Sequence, residues 1–391
     1  MPMRSGGGRG SARWFALILA GGVSLSACSN AASNPSAETT GSDPALVQCG
    51  TTIRELADSA KAEGELTLIA TPREWANYGA IIDSFEADYG ISVTVLDPYA
   101  SSADELKAVV DLANTPGRPD VIDIGPSFVS KAIDDGLVQA YKPTTWSQIP
   151  TSLKDPDGLW IGSYFGLIAF GTNPKLVAEP ATTWADLEAS QYRGQVVLNG
   201  DPRESGSGFA AVIAAALAHG GSYEDITPGI DYFGRLAQSG NLRIETITTE
   251  GITSGAIPIA LDWAYNFTAA RSQLSQSENG YAISVPRDGI YGSYYAQSIT
   301  ANAEHPCAAR LWMEQMLGDA GAISRLNGLA IPARLASIEA FGLVPESVRP
   351  VLPATNEIYT FDFPTQRQLE TITAQLDEEW DSKVTSKLAT N

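Results

Sequence analysis

The sequence predicts an α/β fold of two lobes with a hinged central cleft. Short apolar runs alternate with helical patterns twice, once between residues 66 and 125 and again between 195 and 265. Between the two sets lies an uninterrupted apolar stretch, Tyr164 to Phe170, with a turn-rich exit at Gly171-Thr172-Asn173-Pro174. The 391 residues, 44% hydrophobic and 18% charged, are enough for two ordinary globular lobes and far from a disordered composition.

The chain opens with Arg4, Arg9 and Arg13, then an apolar run from Trp14 to Leu25, then small Ser26 and Ala27 before Cys28. This grading reads as an export signal ending in the lipobox Leu25-Ser26-Ala27-Cys28, with residues 1–27 the signal peptide. Its apolar core falls short of the about 20 residues that span a bilayer. Cys28 is then the lipidated first residue of a chain anchored to the outer face of the cell membrane, where stable attachment takes more than one acyl chain. An uncleaved anchor, or a secretory signal with a chance cysteine, is the alternative. Residues 28–48 are small, polar and proline-containing, a flexible tether.

In the first set, apolar LTLIA at 66–70, SVTVLD at 92–97 and VIDIG at 121–125 read as strands. Helical patterns near Trp75 to Tyr89 and Ala103 to Leu112 separate them. The second set has QVVLN at 195–199, helices near Gly208 to His219 and Gly229 to Gln238, and PIALDWAY at 258–265. Strands of this kind, separated by helices, imply a parallel sheet covered on both faces. Tyr164 to Phe170 suits a crossing between lobes, and Tyr281 to Pro286 with Tyr294 to Ile299 suits the return. The expected division is 49–167 with 287–391 as lobe 1, its C-terminal helices free to pack back on the other lobe, and 168–286 as lobe 2.

A net charge of −20 disfavours nucleic acid and anionic headgroups as partners and leans toward a cationic ligand, although acidic surfaces also serve solubility. Loss of the three leader arginines makes the remaining chain more acidic still. Cys49 and Cys307 are the other cysteines, and an exported setting invites a disulfide between them, with two buried thiols as the alternative. His219 and His305 have no partners at metal-ligand spacing, so neither a zinc site nor a histidine-based triad is expected.

The ordered series LTLIA, IIDSFEADYGISVTVL, RPDVIDIG, GLIAFGTNP, TTWADLEASQYRGQVVLNGDPRESGSG and PIALDWAYN resembles the extracellular solute-binding proteins of ABC importers. The likeness is to the type II group with ferric-iron, polyamine, phosphonate and thiamine binders. HPCAARLWMEQMLGDAGAISRLNGLAIPAR looks like that family's closing helices. The resemblance implies a type II periplasmic-binding-protein fold that closes on a small-molecule solute and docks on a membrane permease. It also implies no enzyme activity and no cofactor; a monomer is expected.

Arg73, Glu74 and Trp75 follow the first strand, at the carboxyl end where α/β folds gather ligand groups. Glu74 also suits a helix's first turn, and Trp75 also suits packing. Ser127, in Gly125-Pro126-Ser127, opens the helix after the third strand; its family counterpart commonly lines the cleft, and a plain turn predicts the same residues. In DPRESGSG, Ser205 and Ser207 with their glycines offer N–H groups and hydroxyls at a helix start, and Arg203 adds charge; an ordinary serine cap is the alternative. Asp262, Trp263 and Tyr265 offer a carboxylate and aromatic faces to an ammonium group. Iron-binding relatives have a Tyr-Tyr pair where this chain has Tyr265-Asn266, which puts ferric binding in doubt. Of adjacent Tyr294 and Tyr295, at most one is expected to face a ligand. The expected solute is amine-bearing, a polyamine or aminophosphonate, with ferric iron as the alternative. The rival classes are a secreted α/β hydrolase, for which SGSG lacks the strand-elbow serine pattern, and a structural lipoprotein that uses the fold for something else.

Overall fold

In a computed structural model, the structure describes residues 49–275, 280–349 and 363–388. The signal, the lipobox Cys28 and the whole of the tether lie outside these residues.

The first α/β set is α1 (Ile53–Glu63), β1 (Glu65–Ile69), α2 (Tyr78–Tyr89), β2 (Ser92–Leu96), α3 (Ser102–Asp111), β3 (Val121–Ile124), α4 (Val129–Asp134) and β4 (Val138–Gln139). Local chemistry sets its helix starts: Thr52 with Glu55, and Ser101 with Asp104, form reciprocal capping boxes on α1 and α3. The second helix begins three residues later than the periodicity predicts. Residues 73–77 are spent on a turn in which Ala76 and Asn77 have φ of 44° and 62°, a left-handed conformation that costs a non-glycine residue about 1 kcal/mol or more.

Next come β5 (Ile161–Thr172), β6 (Val196–Asn199), α5 (Gly206–Ala218), α6 (Thr227–Ser239), β7 (Leu242–Glu245), α7 (Thr249–Ser254), β8 (Ile259–Trp263), α8 (Thr268–Leu274), β9 (Ala282–Ser284) and β10 (Gly292–Thr300). The chain then forms α9 (Pro306–Leu317), α10 (Asp319–Asn327), β11 (Ile331–Pro332), α11 (Leu335–Ala340) and α12 (Gln366–Lys383).

The strand order is β2-β1-β3-β10-β5-β8-β6-β7. Pairing is parallel within β2-β1-β3 and within β8-β6-β7, as the sequence implied, but antiparallel where β10 meets β3 and where β5 meets β10 and β8. Two long strands thus replace helical crossovers at the centre. β5 pairs with β10 through residues 161–167 and with β8 and β9 from residue 168 onward. The stretch expected to cross between lobes is therefore one continuous strand shared by both halves of the sheet. The chain returns between β9 and β10.

Helix α12 packs on α6: Trp380 meets Phe233 at 5.8 Å, and Lys383 pairs with Asp231 at 2.9 Å. Its N-terminal end reaches the first set, where Gln366 donates to Ser130.

Cys49 and Cys307 are joined in a disulfide that spans 258 residues of sequence and ties the start of the fold to the first turn of α9. Closing so long a loop restricts the unfolded chain strongly. Cys307→Ser is expected to lower unfolding stability by about 3–5 kcal/mol in a denaturant titration under oxidising conditions, with the gap vanishing in reductant.

Candidate functional site

A cavity of about 70 Å³ lies between the carboxyl ends of β1 and β3 on one side and of β6 and β8 on the other. This is room for about half a dozen water-sized groups. Seven aromatic residues line it: Trp75, Tyr78, Tyr99, Tyr164, Trp263, Tyr265 and Tyr295. The charged residues among its described lining are two acids, Glu105 and Asp123.

Both acids are almost fully buried, at 1% and 4% exposure. Glu105 stands on the inward stripe of α3 with Ser102, Leu106 and Val109, and its Oε2 accepts the Asp123 backbone N–H at 2.8 Å. Asp123 Oδ2 accepts the phenols of Tyr78 at 2.5 Å and Tyr164 at 2.8 Å. Asp123 Oδ1 is buried and has no hydrogen-bond partner among the described residues. Burial pushes both carboxyls above their usual range; Arg325 and the two phenols pull Asp123 back, whereas the negative charge of Asp123 pushes Glu105 further.

On the facing side, Ser205 caps α5 by accepting the Gly208 N–H at 3.2 Å. Gly206 and Ser207 open that helix, so their N–H groups have no intrahelical acceptor. Asn199 at the end of β6 donates to Ser207 Oγ at 3.0 Å and to Asp262 at 3.1 Å. Strand β8 ends at Trp263, and a 3₁₀ turn over Ala264–Phe267 carries Tyr265 inward. The Tyr265 ring lies against Gly166 of β5, where a Cβ would sit 2.3 Å from it. Trp263 Nε1–H donates to the Tyr295 hydroxyl at 3.2 Å. The two sides also touch: the Ala103 N–H reaches the Glu204 carbonyl at 3.4 Å, and a Cβ on Gly125 would sit 3.2 Å from Gly206 Cα.

Of the residues singled out from the sequence, Trp75, Ser205, Ser207, Trp263 and Tyr265 line the cavity. The others stand outside its lining. Arg73 lies at the surface, paired with Asp83. Glu74 accepts the Tyr99 hydroxyl and so orients a cavity ring from behind. Ser127 Oγ is buried and has no partner among the described residues. Arg203 is held by Asp201 at 2.7 Å and by Asp381 of α12 at 2.9 Å.

Asp262 is fully buried behind the wall, accepting from Asn199, from Asn266 at 3.0 Å and from the Trp263 N–H at 2.8 Å. Its oxygens serve the scaffold. Burial pushes its carboxyl up to about 6. Such a group stabilises the fold fully only below its ordinary pKa, and that contribution is lost as pH rises through 6.

Of the adjacent tyrosines, Tyr295 lines the cavity, whereas Tyr294 stacks on Trp160 at 5.5 Å. Sequence reasoning missed Glu105, Asp123, Tyr78, Tyr99, Tyr164 and Arg325. Two signals were available: a charged residue on an apolar helical stripe (Glu105, Arg325) and one inside an apolar strand (Asp123). Among the described residues, no three His, Cys, Asp or Glu side chains converge as a metal site. No described helix is long and apolar enough to cross a membrane.

Residues 117–355 match the sequence profile of the family described as "Bacterial extracellular solute-binding protein". Iron uptake protein A1 of Synechocystis is 22% identical over 213 residues, 54% of this chain; the chain spans 57% of that protein's length. Among solved structures, the periplasmic binding protein AfuA of Actinobacillus pleuropneumoniae, with fructose-6-phosphate bound, superposes with a TM-score of 0.66 at 18% identity, covering 82% of this chain and 99% of that one. A putative spermidine/putrescine ABC transporter protein of Listeria monocytogenes gives 0.59 at 14% identity, covering 81% and 99%. Iron-bound HitA of Pseudomonas aeruginosa gives 0.59 at 18%, with the same coverages. At these identities the likeness is one of fold, the two-lobed type II periplasmic-binding-protein fold.

Proposed function

Because this chain belongs to the bacterial extracellular solute-binding protein family, we propose that it captures a small amine-bearing solute between two lobes outside the cytoplasmic membrane and hands it to an ABC importer. The family is one of transport proteins, not enzymes. The proposed lobes are 49–167 with 287–391, and 168–286, with the C-terminal α12 packed back on the second through α6, and with β5 and the β9–β10 return as the proposed hinge. Cys28 is the proposed lipid anchor, holding a monomeric receptor beside its permease.

The observation that carries the amine is the pairing of Glu105 with Asp123 in a cavity walled by aromatic rings, with Asp123 Oδ1 unpartnered. A buried acceptor without a donor costs about 1–3 kcal/mol, which an ammonium N–H recovers. Each ring face adds roughly 0.5–2 kcal/mol for a cation. Trp75, Trp263 and Tyr265 supply such faces. The first-turn N–H groups of Gly206 and Ser207 suit a polar or anionic far end, as an aminophosphonate would present. Glu74, Arg203 and Asp262 act through neighbours, holding Tyr99, the loop before α5 and Asn199; Arg73 and Ser127 have no role in this reading.

A thermal-stability screen of amines, amino acids, phosphonates and ferric iron tests the proposal. One amine-bearing class is expected to raise Tm by several degrees through ligand linkage. Stabilisation by uncharged or purely anionic solutes alone would remove the amine. One observation favours ferric iron as the second reading: Tyr164, Tyr265 and Tyr295 all line the cavity, with the ring centres of the last two 5.5 and 6.0 Å from that of Tyr164. Iron would then give a visible phenolate charge-transfer band, which amines do not.

A further inference from the structure

We propose that the cavity takes a compact solute bearing a single protonated amine, and that Arg325 sets this charge count by neutralising one of the two cavity carboxylates. The inference rests on the amine reading above and narrows it, against a polyamine.

Arg325 is 1% exposed and stands on the inward stripe of α10 with Ala322 and Leu326. Its guanidinium lies 3.8 Å from the ring centre of Tyr78 and 4.1 Å from that of Tyr164. Those two tyrosines donate their hydroxyls to Asp123. A permanent cation is thus fixed behind the rings that hold one cavity carboxylate. Arg325 has no carboxylate within ion-pair distance among the described residues; it donates to the Ala76 carbonyl at 2.7 Å. A buried cation is costly without a counter-charge, and Asp123, across the phenols, is the one available. Glu105 is then the uncompensated charge of the cavity, since Asp262 lies behind the wall with its own donors.

One uncompensated carboxylate balances one ammonium. A second ammonium in the same enclosed space would meet Arg325 with no acid left for it, and like charges in a low-dielectric site repel strongly. The volume argues the same way, for about half a dozen non-hydrogen groups exclude a long polyamine. The unpartnered Asp123 Oδ1 adds a requirement for an N–H donor, which a quaternary ammonium lacks.

The test is calorimetric titration of the full chain with n-butylamine, 1,4-diaminobutane and tetramethylammonium at neutral pH. Butylamine is expected to bind about tenfold tighter than either of the others. Arg325→Met removes the charge and keeps an unbranched apolar stem, and a variant that unfolds like wild type should invert the order of butylamine and diaminobutane. Arg325→Lys should keep the wild-type order. Should Arg325→Met fail to fold, Glu105→Gln decides, because loss of the uncompensated charge should leave butylamine binding no tighter than uncharged 1-pentanol. Equal binding of mono- and diamine by wild type would overturn the charge count, and tight binding of tetramethylammonium would overturn the donor requirement. Failure of wild type to bind any amine would instead remove the amine reading itself, and this inference with it.

Discussion

Glu105→Gln is expected to weaken amine binding by about 100-fold, roughly 2.7 kcal/mol, and to reduce the pH dependence of binding that the wild type should display. In the empty protein, burial and the neighbouring Asp123 charge hold the Glu105 carboxyl well above the usual range. An ammonium in the cavity favours the ionised form and lowers that pKa. Between the lowered value in the complex and the raised value in the empty site, each binding event expels a proton. Affinity should therefore fall as pH drops through this window and level off above it.

The other groups facing the cavity do not confuse the assignment. Tyr78, Tyr164 and Tyr265 are pushed far above their usual range by burial and stay neutral. Asp123 shifts in the same direction as Glu105, with Arg325 opposing. Titrations in two buffers of different ionisation enthalpy measure the protons released. A variant that keeps both the wild-type affinity and the proton release would show that Glu105 is only a support for the Asp123 backbone.

The same three charged residues mark how far the sequence could be read. The alternation of apolar runs and helical periods placed β1, β2, β3, β6 and β8 and the helices α2, α3, α5 and α6, because burial of apolar stripes is a local, periodic property, but it left α1, α4, β4, β7 and α7 unread. The antiparallel centre was not legible. Whether β10 enters beside β3 depends on how a return strand is threaded, and nothing in its nine residues encodes its neighbours.

At the site, residues next to a strand end were found by position, as with Trp75, Ser205 and Trp263. Glu105, Asp123 and Arg325 come from a helix face, a strand interior and a late helix, and only the fold brings them together. Each breaks an apolar pattern, and a charge inside such a pattern is the signal to weigh, since burying it costs too much to be incidental. Asp262 gives the same signal yet serves the scaffold. The pattern locates a buried charge and does not tell which side of the wall it faces.

Gly125→Val is expected to raise the dissociation constant of the bound solute by about 100-fold while leaving the unfolding temperature of the empty protein within a degree or two. Gly125 follows β3 with φ −61° and ψ 152°, an extended conformation that any residue adopts, so the substitution carries no backbone strain. The obstacle is across the cleft. Even a single Cβ would stand 3.2 Å from the Gly206 Cα at the start of α5, and valine adds two γ-methyls to that already tight contact. Backbone cannot rotate away as a side-chain tip can, so the two lobes must separate by a few tenths of an ångström for the Cβ alone and by more where a valine methyl meets the same backbone.

Such a gap lifts the Ala103–Glu204 hydrogen bond and moves Gly206 and Ser207 away from Glu105 and Asp123, so one solute can no longer touch both walls. The cost falls on the closed state alone, and affinity drops by the factor that closure contributes. Gly125→Ala, one carbon smaller, should fall between the two. Small-angle scattering gives the matching structural readout: wild type should contract on adding solute, and the valine variant should not. If Gly125→Val binds as tightly as wild type, capture does not require the contact between β3 and α5, and closure has no part in retention.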